Sequence, residues 1–79
     1  MFEKVLALND SNPDVLLKLG IALNKLKRHA DARPVLAACA AMLPDSAHVH
    51  QSLGLALQEL DNLEGAEREF AKALELDPQ

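Results

Sequence analysis

The sequence predicts an all-α protein, a stack of antiparallel helical hairpins with a period of 34 residues. Three observations predict it. Composition comes first: Leu and Ala dominate the apolar set, Phe2 and Phe70 are the only aromatics, and β-branched residues are scarce. Leu, Ala, Glu and Lys favour helix. Second, sliding the chain by 34 aligns residues 12–45 with 46–79 at nine identities. They are Val15/Val49, Leu19/Leu53, Gly20/Gly54, Ala22/Ala56, Leu23/Leu57, Leu26/Leu60, Ala32/Ala66, Ala37/Ala71 and Pro44/Pro78. These are packing and turn residues, and the charges are not repeated, as a stacked architecture requires. Third, apolar residues inside each copy recur at three- and four-residue spacing, the period of one helix face.

Each copy divides into two helices. In the first, Val15, Leu16, Leu19, Ala22, Leu23 and Leu26 make one stripe, which Lys27-Arg28-His29 breaks. A second helix turns Ala32, Val35, Leu36, Cys39, Ala40 and Met42 inward, and Leu43-Pro44-Asp45 ends it because proline disfavours helix in the residue before it. In the second copy His50, Leu53, Ala56, Leu57 and Leu60 share a face. Asp61-Asn62 turns the chain, Ala66, Phe70, Ala73, Leu74 and Leu76 form the last face, and Asp77-Pro78 stops it. Residues 1–11 fit the same frame: Phe2–Asp10 overlays Phe70–Pro78 at twice the period, so they read as the end of a preceding repeat's second helix.

Glycine inside a helix costs about 1 kcal/mol against alanine. Its return at Gly20 and Gly54 in the same phase calls for an offset, and close approach to Ala32 and Ala66 on the partner helix is the expected one. Pro34 is compatible with a helix starting at Asp31 as cap, or with an earlier start near His29 and a mild bend; the earlier start is expected.

Leu19-Gly20 and Leu53-Gly54, Ala32 and Ala66, Leu36 and Phe70, Cys39 and Ala73, and Pro44 and Pro78 together resemble the signature of the tetratricopeptide repeat, over essentially the whole chain. Two positions depart from that pattern. The aromatic usual early in the first helix is Leu16 or His50, and the glycine common at the turn is Lys27 or Asp61. The resemblance implies a right-handed α-solenoid over 1–79, with 12–45 and 46–79 as its two complete repeats. It also implies a protein–protein interaction scaffold or adaptor that binds a partner peptide or helix on a concave face lined by each repeat's first helix. By phase that face carries Asp14, Leu17, Ile21, Asn24, Lys25, His48, Gln51, Leu55, Gln58 and Glu59. Amides suit an extended backbone and the aliphatics suit apolar side chains. The plain alternative is that Leu17 and Ile21 pack against the neighbouring helix. Some relatives grip a C-terminal carboxylate with a Lys/Asn/Arg cluster on this face. Here Leu17, Ile21, Ser52 and His48 stand at those phases, so that ligand is not expected.

No catalytic constellation, cofactor motif or metal set is legible. His48 and His50 are two apart and point to different sides of a helix, and His29 lies at a turn. Cys39 reads as a small core residue. A net charge of −4, with no basic stripe, disfavours nucleic acid. No apolar run approaches a membrane span, and no signal-peptide pattern is legible in the sequence. A lone cysteine favours a reducing compartment such as the cytoplasm. Charge is uneven. Residues 12–45 hold five Lys/Arg and three Asp, net +2; residues 46–79 hold two against seven Asp/Glu, net −5. Lys25, Lys27 and Arg28 at one turn would complement Glu59, Asp61 and Glu64 at the other. Neither end shows a polar capping helix. The chain is therefore expected to be a piece of a longer array, or to self-assemble as a homo-oligomer through its exposed ends.

Overall fold

The computed structural model describes residues 12–78, so the reading of residues 1–11 lies outside the described residues. Four antiparallel helices follow one another: α1 (Pro13–Lys25), α2 (His29–Met42), α3 (Ala47–Glu59) and α4 (Leu63–Leu76). Each packs on the next, and α1 also touches α3. The first helices of the two hairpins therefore lie side by side, with α2 wedged between the hairpins.

Local chemistry sets the ends of each helix. Asn12 caps α1, its Oδ1 accepting from Asp14 N at 2.8 Å, with Pro13 in the first turn. Ser46 Oγ accepts from Val49 N to start α3, and Asn62 Oδ1 accepts from Gly65 N to start α4. Each satisfies a backbone donor that the helix itself leaves open. α2 lacks a side-chain cap and begins at His29, the earlier of the two starts considered, so that Pro34 lies inside the helix.

The turns inside both hairpins share one geometry. Arg28 N donates to Leu23 O and Lys27 N to Asn24 O; Asn62 N donates to Leu57 O and Asp61 N to Gln58 O. These paired bonds are the Schellman closure of a helix C-terminus, which needs one residue in the left-handed region. Lys27 (φ 64°) and Asp61 (φ 65°) occupy it, where glycine would sit without strain.

A single core runs through all four helices: Leu16, Leu23, Ala32, Val35, Leu36, Cys39, Val49, Leu53, Ala56, Leu57 and Ala66. Several residues expected inward are instead exposed. Leu26 and Leu60 are helix caps, so they leave the stripe where the helix ends. Met42 sits at the last position of α2. Val15 and Ala22 are exposed while their repeat-mates Val49 and Ala56 are fully buried. The difference is α2, which covers the second hairpin; among the described residues no helix lies on that side of α1. Leu74 and Leu76 are exposed for the corresponding reason at the other end.

The glycines do admit a close approach, and the nearest atoms belong to the large residue one turn past each alanine. A Cβ on Gly20 would stand 2.5 Å from Leu36 Cγ, and one on Gly54 would stand 2.9 Å from Phe70 Cε1. The helix crossing places the large residue one turn beyond Ala32 or Ala66 over the bare glycine backbone, where it fills the space a methyl would take.

Candidate functional site

Side-by-side packing of α1 and α3 opens a hollow of about 200 Å³ lined by Ile21, Asn24, Lys25, His48, Ser52 and Leu55. Half of the residues expected on the concave face meet here: Ile21, Asn24, Lys25, His48 and Leu55. Lys25, His48 and Leu55 are exposed, and Ile21 is half-buried. Helical spacing accounts for this, since Ile21 and Lys25 are one turn apart on α1.

The other expected residues divide. Gln51 is exposed on α3 and, with His48 and Leu55, lines an adjoining hollow against Phe70. Gln58 and Glu59 are exposed at the end of α3. Asp14 is exposed at the start of α1, with Lys18 Nζ 3.6 Å from its Oδ2. Leu17 is half-buried and packs against the core.

Asn24 lines the hollow from a buried position. It is 8 % exposed, and both its amide nitrogen and its amide oxygen are hydrogen-bonded. Nδ2 donates to Ser52 O at 3.2 Å, and Oδ1 accepts from His29 Nδ1 at 2.8 Å. One side chain thus ties α1 to the start of α2 and to the middle of α3. Such a buried amide is costly to leave unpaired, and its bonds hold the walls of the hollow in place. No spacing signal distinguishes this from an outward amide, because its two partners are distant in sequence or across a turn.

Two further polar groups are structural. His50 is buried; its Nε2 donates to Pro44 O at 2.8 Å, and its Nδ1 meets Glu69 Oε1 at 2.7 Å. The bridge fastens α4 to the link between hairpins. Cys39 is buried, and its thiol donates to Pro13 O at 3.2 Å. Burial, and secondly the Asp14 carboxylate, push that thiol above its ordinary value of 9.0, which suppresses the reactive thiolate. Among the described residues no His/Cys/Asp/Glu group could hold a metal ion, and no helix is long and apolar enough to cross a membrane.

Sequential antiparallel hairpins around one continuous core, with first helices aligned along a shared groove, define a helical-repeat protein of the solenoid class. Residues 1–51 match one tetratricopeptide repeat model and residues 47–79 match another. The chain belongs to the tetratricopeptide repeat family, whose domains are in general protein–protein interaction modules and not catalysts. The comparison with curated proteins gave no match.

Proposed function

We propose that the groove between α1 and α3 binds a peptide or helix of a partner protein. The observation that carries this reading is the joining of Ile21, Lys25, His48 and Leu55 from two repeats around one hollow. An apolar floor from Ile21 and Leu55 would take aliphatic side chains, while Lys25, His48 and the neighbouring Gln51 and Gln58 supply hydrogen bonds at the rim. Asn24 holds the floor in place through Ser52. The hollow is small, so a short segment with one or two apolar anchors suits it better than a broad flat surface.

The test is selection of binders from a random peptide library on the immobilised chain, followed by mapping of the selected peptide by NMR. Shifts centred on Ile21, Lys25, His48 and Leu55, with loss of binding in Leu55→Glu, support the reading. Shifts confined to α2 or α4, or binding unchanged in Leu55→Glu, overturn it. Leu55 is exposed, so this variant keeps the fold intact.

A further inference from the structure

The ring of His50 meets an acceptor at each nitrogen. Nε2 lies 2.8 Å from Pro44 O, a backbone carbonyl that can only accept, and Nδ1 lies 2.7 Å from Glu69 Oε1. A neutral imidazole carries one hydrogen and an ionised carboxylate none, so together they supply one donor for two bonds. The second bond needs one more proton, on Nδ1 as an imidazolium or on Oε1 as an acid that donates to Nδ1. The 2.7 Å separation is that of a charge-assisted bond. His50 is buried and Glu69 half-buried. Among the described residues each is the other's only oppositely charged partner within 4 Å. The other ionisable groups around the pair are engaged or solvated. Asp45 of the link, His48 of α3, and Arg68 and Lys72 beside Glu69 on α4 are exposed, and the Cys39 thiol of α2 is bonded to Pro13 O.

We infer that His50 and Glu69 form a proton-dependent latch, which fastens α4 to the link between the hairpins while the pair holds this extra proton. Loss of the proton leaves one hydrogen on the ring. Whichever nitrogen keeps it, the other turns a lone pair on an acceptor, and either the link or α4 loses its hold. The first hairpin has Leu16 and Val35 at these positions, so the sensitivity belongs to the second hairpin alone. The sign follows from linkage. Unfolding separates the two groups, and a free histidine gives up its proton above about pH 6.5. Where the folded latch still holds the proton, each pH unit lowers the folding constant by up to about tenfold. The stabilisation is therefore present in full at low pH and fades as pH rises.

Two measurements on the full chain test this. Ring nitrogen-15 and carboxyl carbon-13 NMR at about pH 7.5, a unit above free histidine, find the extra proton on the pair. A neutral His50 ring beside an ionised Glu69 overturns the inference. Urea unfolding is then followed from about pH 6 to about pH 9, across the range where histidine sheds its proton. The wild-type folding constant falls by about tenfold or more relative to the His50→Leu/Glu69→Val double variant, which copies the first repeat. Glu69→Gln is the second control, because its amide can donate to a neutral Nδ1 and the contact survives without the proton. That variant loses the wild-type decline. His29, His48 and Cys39 titrate in all three proteins, so the differences belong to the latch. Wild type and double variant declining in parallel, or a wild-type decline that persists in Glu69→Gln, overturns the inference.

Discussion

His50 and Glu69 stand where the first hairpin has Leu16 and Val35, both fully buried. The same backbone seat thus holds an apolar pair in one repeat and a hydrogen-bonded polar pair in the next. Burying a polar pair gains little over a well-packed apolar one, whereas removing one member strands the other. His50→Leu alone and Glu69→Val alone are each expected to cost about 1–3 kcal/mol. The double variant, which copies the first repeat, recovers most of that loss. Urea unfolding of the four proteins as a double-mutant cycle measures it; losses that simply add would show that the bridge is not coupled. His50 was legible as a residue on the packing stripe, but its partner was not. Glu69 reads like the other carboxylates of α4 until the fold brings α3 against it.

At the scale of the element, the hairpin turns carry strain that a single substitution can relieve. Lys27 and Asp61 hold a left-handed backbone that costs an L-residue about 1 kcal/mol or more, and both close Schellman bonds that require it. Lys27→Gly and Asp61→Gly are each expected to raise unfolding free energy by about 0.5–1 kcal/mol, after the larger unfolded-state entropy of glycine is deducted. Chemical denaturation at low salt reads the gain, and a loss of stability in both variants would show that the strain is not released. The turns were visible in the sequence as breaks in the stripe and as places where a glycine is usual. The ends of the second helices were similarly legible, because Pro44 and Pro78 act locally. The glycine partners were not. Gly20 and Gly54 announce a close approach, but the crossing of the helices decides that Leu36 and Phe70 come nearest to them.

For the whole molecule, stability is shared between hairpins. Val49 and Ala56 are fully buried only because α2 covers them, and Asn24 bonds across to Ser52. A hairpin alone buries one side of its stripe and leaves the other wet. Residues 46–79 in isolation are therefore expected to lose most of their helicity, while the intact chain melts in one cooperative step. Circular dichroism of both against temperature checks this; a sigmoidal melt of the isolated hairpin at the temperature of the full chain would rule out the shared core.

The 34-residue period, the all-α class and the hairpin turns were legible from residue type and spacing, since turn formation and helix periodicity act over a few positions along the chain. The tertiary structure alone decided which copies of a repeated residue are buried. Val15 and Val49 are the same residue in the same phase, yet one is half exposed and the other sealed. Burial depends on whether another helix lies opposite, and that is a property of position in the stack. The same cause made Asn24 a link between helices, because a side chain's partners across space are set by packing and not by its neighbours in sequence.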